Sequence, residues 1–132
     1  MNYGYAVVRA ATARAITAAG LHPSIGVHHR SALDTMRLAD DLMEPFRPLI
    51  DARVRAIAES DEDLDVVPRT KKMLVSVLST DAPTAAGTSP VSVAMQRTAR
   101  SLAEYFLNER KRLELPSIEY RSVVACLAEA YV

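Results

Sequence analysis

Residues 3–19 read Tyr-Gly-Tyr-Ala-Val-Val-Arg-Ala-Ala-Thr-Ala-Arg-Ala-Ile-Thr-Ala-Ala, and this stretch decides the fold class. Tyr5, Val8, Ala15, Ile16 and Ala19 recur at a spacing that puts them on one stripe of a helix. Thr12 is the only polar member of that stripe, Arg9 falls at its edge, and Arg14 lies on the far side. Gly20 stands where such a helix would stop.

The same period continues outward. Residues 21–30 are loop-like, punctuated by Pro23 and Gly26. Ser31 is an N-cap candidate with Asp34 three residues on, a variant of the capping box. Met36, Met43, Phe46, Leu49 and Ile50 then recur at helical spacing, and Val54 and Ile57 carry the pattern to about Glu59. Pro45 and Pro48 interrupt this run and predict a kink or a break. Residues 59–65 form an acidic loop. Pro68 opens a short helix through Met73, Leu74, Val77 and Leu78. Residues 80–90 read as a linker, with Ser89 and Pro90 as N-cap and first position of a helix carrying Val91, Met95, Leu102 and Phe106. That helix is expected to end in Arg110-Lys111-Arg112, cations that complement a helix dipole. After Leu115-Pro116, Ser117 caps a final helix through Val123, Val124, Leu127 and Tyr131. The expectation is an all-α domain over residues 1–132, a compact bundle of about five helices with the second kinked near Pro45 and Pro48.

Composition sets the remaining bounds. At 132 residues the chain is one domain, able to bury about two-thirds of its unfolded surface. Hydrophobic residues make up 49% and charged residues 24%, which argues against a disordered tail. Sixteen basic and sixteen acidic residues give zero net charge and disfavour a bulk polycation held to nucleic acid by charge alone. Four glycines are too few for a turn-rich sandwich or barrel. No membrane-length apolar run and no secretory signal are found, and the lone Cys126, expected to be a buried small hydrophobe, cannot form an internal disulfide. A cytoplasmic setting is the expectation.

Charge is nevertheless uneven. Residues 1–33 hold Arg9, Arg14 and Arg30 and no acid, and the next stretch holds Asp34, Asp40, Asp41 and Glu44. On a helix Asp41 and Glu44, or Asp40 and Glu44, can converge, and like charges so placed repel by a few tenths of a kcal/mol unless solvated or neutralised. Oxygen donors with one imidazole from His28 or His29 suit a hard or borderline divalent ion, magnesium or manganese. A solvated acidic face paired with Arg37 and Arg47 is the competing reading. A serine-based triad and a phosphate-cradling glycine loop find no support.

Three consecutive pieces carry a resemblance: Asn2-Tyr3-Gly4-Tyr5, then Gly20-Leu21-His22-Pro23-Ser24-Ile25-Gly26-Val27-His28-His29-Arg30, then Leu38-Ala39-Asp40-Asp41-Leu42-Met43-Glu44-Pro45-Phe46-Arg47-Pro48. Together they resemble the helical C-terminal domain of the CRISPR-associated endonuclease/integrase of spacer acquisition, the Cas-one family, most of all its type II branch. The match is dense over residues 2–51. The resemblance implies His29 and Glu44 as catalytic residues and metal ligands. Asp41 is implied either as a further ligand or as a group supporting one, and His28 and His22 as solvated loop. By charge and location Arg30 and Arg47 are expected to contact DNA phosphate, Arg47 equally to pair with Asp51. The implied activity is Mg²⁺- or Mn²⁺-dependent phosphodiester transesterification in adaptive antiviral defence. Double-stranded DNA (prespacer and CRISPR repeat), a homodimer and the small adaptation protein Cas-two are the implied partners. The family's β-rich N-terminal domain and a glutamate upstream of the Asn-Tyr-Gly-Tyr motif are not in this sequence, so weak metal binding and little activity are expected of the chain alone. A non-enzymatic helical remnant or self-associating binding module is the alternative.

Overall fold

Alanine-rich sequence with one apolar stripe makes α1, Asn2–Ala18, the element against which the others pack. The computed structural model describes residues 2–28, 33–59 and 68–117. Val8, Thr12, Ala15 and Ile16 are buried along α1, as the stripe predicts. The Thr12 hydroxyl donates to the Val8 carbonyl at 2.8 Å, which lets a polar residue sit inside the core. Gly20 takes φ +81° just past the helix, a left-handed conformation glycine adopts without steric cost.

The second helical run is broken where the prolines predict. α2, Arg37–Met43, passes through a 3-10 turn, Glu44–Phe46, into α3, Arg47–Glu59. Phe46, Leu49, Ile50 and Ile57 are buried on its inner face. The start of α2 departs from expectation: it begins at Arg37, not next to Ser31, which lies outside the described residues. Asp34 Oδ1 accepts the Met36 amide at 2.8 Å, so this carboxylate fastens the turn before the helix rather than serving as its third residue.

α4, Pro68–Val75, and a 3-10 turn, Ser76–Ser79, follow. Arg53, 8% exposed, ties α3 to this unit, donating to the Met73 carbonyl at 3.2 Å and Ser76 Oγ at 2.7 Å. Residues 80–90 are not a linker. They form an antiparallel hairpin of β1, Asp81–Thr84, and β2, Gly87–Pro90, with Ala82 opposite Ser89 and Thr84 opposite Gly87. Gly87, at φ +105°, supplies the left-handed residue that follows the two-residue loop. Ser89 accordingly lies in a strand, not at an N-cap; Pro90 flanks the helix and Val91 donates to the Thr80 carbonyl at 2.9 Å.

α5, Val91–Phe106, buries Val91, Met95, Ala99 and Leu102, but Phe106 is 55% exposed and the helix ends there, with Asn108 at φ 59°. The Arg110-Lys111-Arg112 run therefore lies beyond the helix instead of in its last turn. Downstream, Thr84 and Pro116 form an isolated bridge, and Ser117 donates to the Pro83 carbonyl at 2.9 Å. Of the five expected helices four are found, the second as α2 and α3. The final one, with Cys126, and the acidic loop from residue 60 lie outside the described residues. The protein is predominantly helical with one small sheet.

Candidate active site

The loop after α1 is laced onto α2 by backbone groups. Leu38 donates to the Pro23 carbonyl at 2.7 Å, and Arg37 Nε to the Ser24 carbonyl at 2.8 Å. Asp41 completes the attachment. Its Oδ2 accepts the amides of Val27 and His28 at 2.7 and 2.8 Å, so the carboxylate fixes the end of the histidine-bearing loop against the helix that bears Glu44. Two N–H donors on one carboxylate oxygen are charge-assisted bonds, about twice as strong as neutral ones.

A cavity of about 580 Å³ opens beside this junction. His28, Asp41 and Glu44 line it together with Pro45 and a leucine wall that includes Leu102, Leu113 and Leu115. Glu44 is the first residue of the 3-10 turn, where Pro45 ends α2 and turns the chain toward α3. Its Oε1 and Oε2 accept from Arg47 Nη1 at 2.9 and 3.1 Å. This contact raises the Arg47 pKa above its ordinary value. The guanidinium also stacks 4.9 Å from the centre of the Tyr5 ring. The Tyr5 hydroxyl donates to Asp51 Oδ1, and that bond to a carboxylate pushes the phenol pKa up. Arg47 therefore pairs with Glu44 rather than Asp51, which belongs to Tyr5.

Asp40 does not converge with Glu44. It turns to α1, where Arg9 Nε and Nη2 each meet it at 2.6 Å, and Arg9 Nη2 also reaches Asp34 at 2.9 Å. Of the site residues read from sequence, Asp41 and Glu44 share the cavity, Arg47 sits against Glu44, and His29 and Arg30 lie outside the described residues. His22 is exposed in the loop, with Nδ1 2.7 Å from Ser24 Oγ. Among the described residues no three metal-ligating side chains cluster. Sequence reasoning missed the Tyr5–Asp51 pair and the leucine wall. Neither had a local signal: Tyr5 and Asp51 stand 46 positions apart, and the wall comes from segments far apart in the chain.

The family model for CRISPR associated protein Cas1 matches residues 1–66, half of the chain. The CRISPR-associated endonuclease Cas1 of Neisseria meningitidis serogroup C (strain 8013) is 43% identical over 79 residues, 59% of this chain and 26% of the relative. CRISPR-associated endonuclease Cas1 2 of Pyrobaculum aerophilum is 31% identical over 105 residues, 79% of this chain and 35% of the relative. The chain thus spans about a quarter to a third of the length of these relatives. Among solved structures, a casposase bound to integration product superposes with a TM-score of 0.77 at 26% identity, over 89% of this chain and 40% of that one. With half its length matched and the broken helix that presents Glu44 in place, the chain belongs to the Cas1 family of CRISPR-associated proteins.

Proposed function

We propose that the chain is the helical catalytic portion of a divalent-metal-dependent DNA endonuclease and integrase that inserts new spacers into CRISPR arrays. The observation that carries this reading is Asp41 and Glu44 on the wall of one cavity, with Asp41 also fixing the loop that runs on to His29. Its support from relatives is twofold: two are named endonucleases, and the casposase is bound to integration product.

The donor set fits a hard cation. Each carboxylate has about four lone-pair sites, so the bonds to Arg47 leave acceptor capacity on Glu44. Glu44, Asp41 and His29 would hold Mg²⁺ or Mn²⁺, which when bound neutralises charge on a transferring phosphoryl group. The rest falls to the chain's own residues. Arg47 and Arg30 would meet phosphate oxygens, and the leucine wall would exclude water beside the reacting bond. In the reaction a DNA 3′-oxygen forms a bond to a repeat phosphorus, the bond to the adjoining 3′-oxygen breaks, and that oxygen leaves as a hydroxyl. Duplex DNA, a second copy of the chain and Cas-two are the proposed partners, and the setting is cytoplasmic. No helix among the described residues is long and apolar enough to cross a membrane.

The test is Mn²⁺ binding by calorimetry alongside nicking of supercoiled plasmid, on the 132-residue chain and its Glu44→Gln variant. The expected result is weak binding and slow nicking by the parent, with both reduced at least about tenfold by the substitution, the loss typical of disturbing a metal site. Nicking that survives Glu44→Gln unchanged would sink the assignment.

A further inference from the structure

The Arg110-Lys111-Arg112 run has no role in the cavity described above, and the fold does not account for it. Three adjacent cations repel one another, and helix-dipole compensation fades beyond the last turn. α5 ends at Phe106, and Asn108 turns the chain away before the run begins. Among the described residues only Arg110 of the three has an ion pair, with Glu104 at 3.0 Å and Glu114 at 3.5 Å. Lys111 and Arg112 are exposed and make no ion pair among the described residues.

The backbone beneath them is nonetheless fixed. Glu114 donates its amide to Ser101 Oγ at 2.8 Å and accepts Thr98 Oγ1 at 2.8 Å, and Ser117 is bonded to β1. The segment and the hairpin loop at Ala85 and Ala86 enclose a groove of about 510 Å³ that Lys111 and Arg112 line. Arg110 and Glu114 line it too, but they pair with each other, so the charge the groove presents is that of Lys111 and Arg112; Glu109, the nearest exposed acid before the run, does not line it. Leu113 lines both this groove and the cavity of Asp41 and Glu44. A basic groove and an acidic cavity thus share one wall. That arrangement suits a polyanion with one phosphate at the cavity and its neighbours running past two cations, on a support already ordered before binding.

We propose that the Lys111–Arg112 groove is a track for the DNA phosphodiester backbone as it leaves the cavity. This rests on the integrase reading. Contacts of this kind position the duplex without reading its sequence. Releasing two counterions gives a contribution of about 1.8 to the slope of log affinity against log salt.

The experiment is fluorescence anisotropy of a labelled DNA duplex with the 132-residue chain, titrated over several salt concentrations. The variants are Lys111→Gln/Arg112→Gln and a control of equal charge change, Arg14→Gln/Lys72→Gln, neither residue of which lines the groove or the cavity. All four side chains are exposed, and circular dichroism confirms that the variants fold. The expected result is a slope reduced by about 1.8 in the groove variant, with weaker binding at every salt concentration, and a smaller change in the control. A groove variant that binds like the parent, or loses no more than the control, overturns the track and leaves the integrase reading standing. A parent chain with no affinity for DNA at any salt overturns both.

Discussion

Gly4 sits in the first turn of α1, where a glycine costs about 1 kcal/mol of helix propensity relative to alanine. In an open environment Gly4→Ala would therefore stabilise the protein. Here an added Cβ would lie 3.0 Å from Ile50 Cγ2 and 3.4 Å from Leu74 Cδ2. The leucine methyl is at ordinary contact distance and ends a flexible side chain. The isoleucine methyl is different: it branches at Cβ, its χ1 is nearly fixed on a helix, and Ile50 is 1% exposed with no room to yield. Overpacking of this kind costs about 1–3 kcal/mol. Against the propensity gain, the expected outcome is a net loss of up to about 2 kcal/mol, read as a lower midpoint in urea unfolding followed by far-UV circular dichroism. The decisive version is a double-mutant cycle with Ile50→Ala, which removes the clashing methyl. In that background Gly4→Ala should become neutral or stabilising, giving a coupling of about 1 kcal/mol or more for two residues in contact. A parent-background stabilisation near 1 kcal/mol, or strict additivity, would refute the claim that close approach of α1 to α3 selects glycine here.

Two further outcomes follow from buried and paired polar groups. The Met36 amide, with Arg9 behind it, holds the Asp34 carboxyl below its usual 3.8, so ionised Asp34 stabilises the fold above the unfolded pKa and that contribution disappears as pH falls through the lower folded value. Thermal midpoints should therefore drop as pH is lowered from about 5 to below 3.8, and drop less steeply in Asp34→Asn; equal slopes would show that ionised Asp34 contributes no pH-dependent stability. Ser89 Oγ is buried with no hydrogen-bond partner among the described residues, so Ser89→Ala should leave stability unchanged or raise it by about 1 kcal/mol, and a loss larger than that would reveal a partner for the hydroxyl.

What the sequence conveyed depended on how local each determinant was. The stripe of α1, its end at Gly20 and the break at Pro45 follow from period, φ preference and a missing amide, all properties of a short window. The hairpin was hidden because its strands are four residues long, carry Pro83 and Pro90, and bury only one cross-strand pair, Ala82 with Ser89. The alternation that announces a longer strand cannot develop in that space. The end of α5 was misjudged for the opposite reason. Residues 107–112 are not poor helix formers as a group; the chain leaves the helix because the 114–117 segment is bonded to Thr98, Ser101 and β1, which is tertiary information.

The acidic stretch shows how a charge pattern divides its labour once folded. Asp34, Asp40, Asp41 and Glu44 look equivalent as a cluster of carboxylates within eleven residues, and spacing alone allowed either Asp40 or Asp41 to join Glu44. Their surroundings separate them. Asp40 and Asp34 converge on Arg9, an arginine inside the acid-free first quarter of the chain, so the basic N-terminal segment and the acidic stretch are two halves of one structural contact. Asp41 faces the other way and is held by loop amides, which is a positioning task. Glu44, partnered across one turn by Arg47, is the carboxylate whose counter-ion lies on an exposed side chain, 45% accessible, and is the easiest to exchange. On the proposed reading a charge-neutral chain presents a cation-accepting cavity next to a phosphate-accepting groove, because acids such as Asp34 and Asp40 and the base Arg9 that meets them are consumed in fixing its elements.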